Sequence, residues 1–227
     1  VVTGAADFSV SRAGVIAYQA HLERTQFYWV DRDGKALSAA TAGGLSGKFA
    51  ALSPDGKHIA MEEYDVAAGL THIQIVDTAT GKGRRIAAPL ANRHAPVWSP
   101  DSKSVVYMKS IGAPPKLGIC PIDESGKEIL LPEAPFMMPT SWSKDGRYIL
   151  YNSSGMPLTE EEGQGDIFVV DLKGGDQPKL IPFIQTPFHE ANAHFSPDMS
   201  MVAFMSTESG SPELYLQTLS TTPVLHT

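Results

Sequence analysis

The sequence has few features that would place the chain among disulfide-rich, membrane-spanning or helical proteins. It has a single cysteine, Cys120, so no disulfide bond can form within the chain. No apolar run approaches the ~18 residues of a membrane-spanning helix. No segment repeats its apolar residues every three to four positions, as an amphipathic helix would. The sequence therefore predicts an all-β protein without disulfides or a transmembrane helix, with Cys120 as a small buried side chain.

Positive charge is also scarce. The formal net charge is −7, and the 18 lysines and arginines are spread along the chain. The one dense basic run is Lys82-Gly83-Arg84-Arg85, which is typical of an exposed sheet edge, where charged side chains prevent further strand pairing. A nucleic-acid-binding surface would need a basic patch or stripe, so we expect no nucleic-acid partner.

Five short stretches of the chain are versions of one another, beginning at Val10, Ser53, Ser99, Ser143 and Ser196. Their starts are 43 to 53 residues apart. A period in the forties with strand-like units is typical of a β-propeller, in which each repeat forms one four-stranded blade. The sequence thus predicts a single domain of about five four-stranded blades over 1–227, with repeats at 1–45, 46–91, 92–135, 136–187 and 188–227.

Each repeat predicts the same order of strands. An inner strand ends at the serine, and a tight turn with Asp and usually Gly follows, because these residues tolerate positive φ. The second strand is almost continuously apolar, as in Val105–Met108, which indicates burial on both faces. The third strand leads into another turn, such as Asp31–Gly34, and a short outer strand closes the blade. The last repeat is too short for a fourth strand, and Val1–Asp7 is predicted to supply it.

The repeats resemble those of the TolB-like propellers, on the Ser-Pro-Asp-Gly turn and the Ile-Ala-type strand after it, over nearly the whole chain. The order of elements also resembles the C-terminal propeller region of bacterial membrane-anchored serine/threonine kinases, on 8–18, 29–35, 195–198 and 202–204. TolB-like propellers often have six blades, so the five repeats fit a closed ring or an arc of a larger propeller. The resemblance implies an extracytoplasmic sensor or interaction module of a larger envelope protein, whose targeting segment lies outside these 227 residues.

Residues four to seven positions before the repeat serines are candidates for a ligand site, because in a propeller they surround the mouth of the central channel. Six polar side chains and one methionine at these positions are predicted to bind a ligand: Lys48, Arg93, His94, Met138, His189, Glu190 and Asn192. His94, His189 and Glu190 could also converge on a divalent ion, since imidazole and carboxylate groups suit such metals. The simpler alternative is that these residues only hydrate a channel entrance.

Known catalytic and calcium-binding motifs are incomplete or missing in the sequence. His189 and His194 are five residues apart, whereas the zinc-protease motif needs two histidines four apart on a helix, and strict strand alternation would direct these two to opposite faces. Asp31–Gly34 lacks the later ligands of a calcium loop. No Gly-x-Ser-x-Gly nucleophile elbow is present.

The sequence therefore predicts a non-catalytic, cofactor-free module that binds a protein partner or a small ligand. We expect it to make no membrane contact itself and to self-associate if the propeller is incomplete. The alternatives are a metal-dependent lyase or hydrolase and the accessory propeller of a prolyl-oligopeptidase-like peptidase.

Overall fold

The computed structural model describes residues 8–10, 16–19, 27–40, 47–86, 91–110, 115–123, 128–131, 138–153, 165–175 and 177–219. These residues form 19 β-strands and no helix. It follows that no helix able to cross a lipid bilayer occurs in the described part of the chain.

The strands form five sheets, and in each sheet they lie side by side in chain order. The first sheet contains β1 (Phe8–Val10), β2 (Ile16–Gln19), β3 (Phe27–Val30) and β4 (Ala36–Ala39). The second contains β5 (Lys48–Leu52), β6 (His58–Asp65), β7 (Leu70–Asp77) and β8 (Gly83–Arg85). The third contains β9 (Asn92–Trp98), β10 (Ser104–Ser110), β11 (Lys116–Pro121) and β12 (Ile129–Leu130). The fourth contains β13 (Met138–Trp142), β14 (Tyr148–Asn152), β15 (Ile167–Asp171) and β16 (Lys179–Ile184). The fifth contains β17 (Glu190–Phe195), β18 (Met201–Ser206) and β19 (Glu213–Thr218).

This arrangement is an all-β propeller fold, as the repeats predict. Four of the sheets have four strands, and the fifth has three in the described part of the chain. The strand predicted from Val1–Asp7 lies outside the described residues, and within those residues four blades have all four strands rather than the predicted five.

The chain divides into two compact units. The first comprises Val1–Val106 and Cys120–Glu128, and the second comprises Tyr107–Ile119 and Ile129–Thr227. The first unit contains a core cluster of Phe27, Ala40, Ile59, Met61 and Val76. The second contains a core cluster of Leu150, Ile167, Val169, Phe183, Ile184, Ala193, Val202 and Phe204. In both clusters the second strand of a sheet contributes buried side chains, as its apolar sequence predicts.

The turn after each inner strand is stabilised by its own serine and aspartate. The Ser53 hydroxyl donates to Asp55 Oδ1 over 2.6 Å, and the Lys57 N–H donates to the same oxygen over 3.0 Å. The His58 N–H then donates to Ser53 Oγ over 2.9 Å. The same three hydrogen bonds recur in the turns that begin at Ser99, Ser143 and Ser196.

The fourth residue of each of these turns has a left-handed backbone, whether or not it is glycine. The φ angle is 74° at Gly56 and 73° at Gly146, and it is 62° at Ser102 and 63° at Met199. The turn geometry is therefore kept where glycine is absent, at the steric cost that a Cβ imposes in this region.

The turn aspartates predict how the free energy of unfolding depends on pH. Hydrogen bonds, first from the Ser196 hydroxyl, hold the pKa of Asp198 at about 2, below the ordinary 3.8. A carboxyl whose pKa is lowered by folding stabilises the protein fully above its unfolded pKa and loses that effect as pH falls through its folded pKa. We expect the difference in free energy of unfolding between the wild type and Asp198→Asn to be constant above about pH 5 and to shrink between about pH 5 and 2. Urea titrations over this pH range measure it, and a difference that stays constant down to pH 2 would contradict the prediction.

Candidate functional site

The inner strands share a distortion at the positions predicted to bind a ligand. Phe49, Ala95 and Asn192 have φ angles of 48°, 53° and 54°. Each lies four residues before a repeat serine, and the strand register shifts by one residue beside Phe49 and Asn192. Non-glycine residues rarely adopt this conformation, and bulges of this kind redirect side chains, often next to functional sites. The equivalent residue of the fourth sheet is Pro139, whose ring fixes φ near −65° and excludes the left-handed conformation.

The bulge in β17 corrects one inference from the sequence. Strict alternation along the strand predicts that His189 and His194 face opposite ways. The register shifts between Ala191 and His194, so alternation fails across this segment. The zinc-protease motif remains unsuited, because it requires a helix and this segment is a strand.

In the first unit, His94 forms a pair with a carboxylate that the sequence analysis did not identify. The His94 Nδ1 atom lies 3.2 Å from Glu62 Oε2, and the Ala95 N–H donates to Glu62 Oε1 over 2.7 Å. Glu62 is only 6% exposed. An acidic residue directly after the apolar run Ile59–Met61 of β6 was the available signal, because a buried carboxylate needs partners.

Two further predicted residues of the first unit differ in exposure. Arg93 is 1% exposed; its Nη1 donates to the Ala91 carbonyl over 3.2 Å, and its Nε lies 3.7 Å from Glu128 Oε1. Lys48, at the start of β5, is exposed. The Arg93 guanidinium is thus enclosed by protein, whereas the Lys48 side chain is open to solvent.

In the second unit, Glu190 is a completely buried carboxyl group with 0% exposure. Its Oε1 atom accepts hydrogen bonds from the Thr186 hydroxyl and, over 3.2 Å, from the Ser206 hydroxyl. Its Oε2 atom has no hydrogen-bond partner among the described residues. Burial raises the pKa of Glu190 above its ordinary value. Glu190 therefore retains an unused acceptor in an environment that disfavours its charge.

Glu190 lines a cavity of about 550 Å³. Its walls are mainly apolar and aromatic, with two carboxylates and several smaller polar groups: Phe183, Ile184, Thr186, Pro187, Phe188, Glu190, Phe204, Ser206, Glu208, Tyr215, Leu216 and Gln217. A cavity of this size with few polar groups is typical of a small-molecule site.

His189, next to Glu190, is a neutral imidazole that positions neighbouring loops. The Gly165 N–H donates to its Nδ1 over 2.9 Å, so this nitrogen carries no proton. Its Nε2 is buried without a partner among the described residues, and burial lowers the pKa of His189. Its backbone N–H donates to Thr207 Oγ1 over 3.0 Å.

The two remaining predicted residues lie on the inner strands of the second unit. Asn192 is exposed, and its backbone N–H donates to Asn152 Oδ1 over 3.2 Å. Met138 is half-buried and pairs with Asn152 in the sheet. The side chain of Asn152 thus supports the bulged backbone at Asn192.

No group of three or more His, Cys, Asp or Glu side chains within the described ranges is placed to hold a metal ion. His94 instead pairs with Glu62, while His189 and Glu190 have the partners given above. His94 lies in the first unit, whereas His189 and Glu190 lie in the second, so the metal site predicted from these three residues stays a prediction.

A buried tyrosine of the second unit tests what an unpartnered hydroxyl costs in free energy of unfolding. Tyr151, in β14, is fully buried and stacks on Phe168 with ring centroids 5.4 Å apart. Its hydroxyl has no hydrogen-bond partner among the described residues. Tyr151→Phe removes this desolvated group, and we expect the free energy of unfolding to rise by about 1 kcal/mol. Urea denaturation measures the change, and a decrease would show that the hydroxyl has a partner in solution.

Comparisons with known proteins show the fold. No protein-family model matches the chain. The chain is similar to a putative TolB from Agrobacterium tumefaciens (TM-score 0.73, 21% identity, 94% of this chain and 76% of the other). It is also similar to TolB from Acinetobacter baumannii (TM-score 0.69, 20% identity), of which it spans 51% while 93% of this chain is covered. A third similar structure is an oligogalacturonate lyase in complex with manganese (TM-score 0.65, 16% identity, 97% of this chain and 67% of the other).

The chain therefore has the TolB-like β-propeller fold that its repeats predict. Both enzymes and TolB proteins have this architecture, so the similarities alone assign no activity. The resemblance to the kinase-associated propellers stays a prediction.

Proposed function

We propose that the chain is a non-catalytic binding module and that the cavity of the second unit is its ligand site. The observation that carries the proposal is Glu190, a fully buried carboxyl with one unpartnered oxygen in the wall of a cavity of about 550 Å³. Native proteins rarely leave a buried polar atom unpaired, and each exception calls for an explanation such as a functional role or a bound group. Glu190 is also one of the residues that the sequence predicts at a ligand site.

A ligand screen with a blocked cavity tests this function. Gln217→Trp enlarges a half-buried side chain of the cavity wall, whereas Thr218→Trp enlarges the adjacent exposed residue, which does not line the cavity. We expect some members of a small-molecule library, screened by ligand-observed NMR, to bind the wild type and Thr218→Trp but not Gln217→Trp. A library without a single compound of this pattern would contradict the proposal.

We further propose that this module is the extracytoplasmic sensor or interaction part of a larger bacterial envelope protein, such as a membrane-anchored serine/threonine kinase. The sequence resemblance and the TolB-like fold support this context. An immunoblot of fractionated source cells is expected to show a membrane-associated band much larger than 24.4 kDa. A soluble band of that mass would contradict the envelope context and leave the ligand site to be judged separately.

The competing enzyme hypothesis makes a different prediction. A metal-dependent lyase or hydrolase should bind a stoichiometric divalent ion that His94→Ala or His189→Ala releases and that the control His194→Ala retains. Elemental analysis of the three variants distinguishes the hypotheses. We expect no such pattern, and its observation together with turnover of a substrate would overturn the non-catalytic role.

A further inference from the structure

We infer that the cavity lined by Glu190 binds a primary ammonium ion that carries an apolar substituent, with Glu190 Oε2 as the acceptor of an ammonium N–H. The inference rests on the proposed function, because it names the ligand class of the same site. Charge, hydrogen-bonding capacity and the composition of the walls each support it.

The charge of the walls selects a cation. Glu190 and Glu208 both line the cavity, and no Lys, Arg or His is among its described lining residues. The chain as a whole carries a formal charge of −7. An anion would therefore meet the buried Glu190 carboxyl and the exposed Glu208 carboxylate without a counter-charge, which is unfavourable beside a group removed from water. A positive charge in this cavity has to come from the ligand.

The hydrogen-bonding capacity of Glu190 selects a donor. Oε1 already accepts from the hydroxyls of Thr186 and Ser206, whereas Oε2 has no partner among the described residues. An ionised carboxylate is an acceptor only, so the ligand must offer an N–H or O–H. A charged N–H donor makes the stronger bond to a carboxylate, which favours an ammonium group over an alcohol and excludes a quaternary ammonium.

The walls favour an organic cation over a metal ion. Phe183, Phe188, Phe204 and Tyr215 line the cavity, and the rings of Phe204 and Tyr215 stack with centroids 5.8 Å apart. Aromatic faces attract ammonium groups and bury apolar substituents. Calcium and magnesium ions require about six oxygen ligands, and among the described residues no group of three or more His, Cys, Asp or Glu side chains is placed to hold a metal ion.

Binding should release a proton when the pH lies below the pKa of the empty Glu190. Burial raises the pKa of Glu190, and the nearby Asp166 charge raises it further. Glu208 and Tyr215 are the other titratable groups of the cavity wall, and His189 adjoins it in the chain. The ammonium ion favours the ionised carboxylate, so affinity for it should rise with pH through the pKa of Glu190 and then become constant.

Calorimetric titration of the full chain with hexylammonium chloride and with 1-hexanol tests the inference. The matched variants are Glu190→Gln, which keeps the side-chain shape, and Glu213→Gln, which removes an exposed charge outside the cavity. We expect the wild type and Glu213→Gln to bind hexylammonium alike and better than 1-hexanol. Glu190→Gln should weaken hexylammonium binding by about 30-fold or more, the effect of removing one partner of a buried charge pair. Titrations at pH 4.5, the ordinary pKa of a glutamate and therefore below the raised pKa of Glu190, in two buffers of different ionisation enthalpy should show proton release by the wild type and none by Glu190→Gln.

The outcomes separate the ligand class from the proposed function. Equal binding of both probes, or equal weakening in Glu190→Gln and Glu213→Gln, would overturn the ammonium site while the binding module stands. If neither probe binds and the library screen also finds no ligand for the cavity, both the ammonium site and the proposed binding module are overturned. If Glu190→Gln fails to fold, Phe188→Ala at the exposed rim replaces it, with an expected weakening of hexylammonium binding by about 3-fold. Unchanged binding in Phe188→Ala would also overturn the inference.

Discussion

Trp98→Ala is expected to lower the free energy of unfolding by about 4 kcal/mol, the range of a buried aromatic side chain replaced by alanine. Trp98 ends the inner strand β9 and is 5% exposed. Its indole Nε1–H donates to the Ala51 carbonyl of β5 over 2.8 Å, and its ring centroid lies 6.1 Å from that of His58. The side chain therefore joins two successive repeats of the first unit, and its loss removes packing and a hydrogen bond together.

Trp98→Phe and Trp142→Phe separate these two contributions. Trp98→Phe keeps most of the apolar volume but leaves the Ala51 carbonyl without its donor, so we expect a loss of about 2 kcal/mol. The Trp142 indole donates over 3.3 Å to the Gly146 carbonyl within its own turn, and Trp142→Phe should have a smaller effect. Urea denaturation monitored by circular dichroism gives all three values. A Trp98→Ala variant within 1 kcal/mol of the wild type would contradict the role of Trp98 as a link between repeats.

The second large effect is expected at Gly47, where alanine should lower the free energy of unfolding by about 3 kcal/mol through overpacking. A Cβ atom at this buried position would lie 2.2 Å from the Glu62 carbonyl oxygen. The obstacle is backbone, so relief requires β6 to move. Because Glu62 binds His94 and the Ala95 N–H, that movement should also disturb this pair.

Gly56→Ala is the matched control for Gly47→Ala. A Cβ at Gly56 would meet nothing within 4 Å, so its expected cost of about 1 kcal/mol reflects only the left-handed φ of 74°. Hydrogen exchange of the Ala95 amide adds a local readout. It should accelerate in Gly47→Ala and not in Gly56→Ala. Equal stability of the two variants would show that the first site relaxes without cost.

The repeat sequences predict the sheets because each repeat contains the information for its own strands and turn. Ser53 and Asp55 are two residues apart, so their hydrogen bond can be inferred without knowing any distant contact. The same holds for the turn that begins at Asp31, whose Oδ1 accepts from the Asp33 and Lys35 N–H groups. The basic run at Lys82–Arg85 is also confirmed as an outer strand, where Arg85 pairs with Glu63 and Asp65. Cys120 is buried, as its apolar surroundings predict.

The site was less accessible to sequence reasoning, because its geometry depends on contacts between strands. Glu190 was identified from its position in the repeat, but its hydroxyl partners Thr186 and Ser206 were not. Nothing in the sequence marks them, since one lies in a connecting segment and the other ends the next strand. The left-handed residues of the inner strands were missed for another reason: Phe49, Ala95 and Asn192 have unrelated side chains and share only a backbone conformation.

The serine–aspartate turn has a consequence for how such a chain can change in evolution. Each turn places its hydroxyl and carboxylate on atoms of the same eight-residue stretch. A duplicated or deleted repeat therefore carries a complete turn with it and leaves the turn aspartates of its neighbours with their hydrogen bonds. Unequal recombination between repeats can thus change their number by whole units, with selection acting on the contacts between new neighbours, such as the one from Glu62 to the Ala95 N–H. The residues that line the cavity at Glu190 come from one repeat and the segment before it, so a ligand site of the kind proposed there can be gained or lost in a single such event.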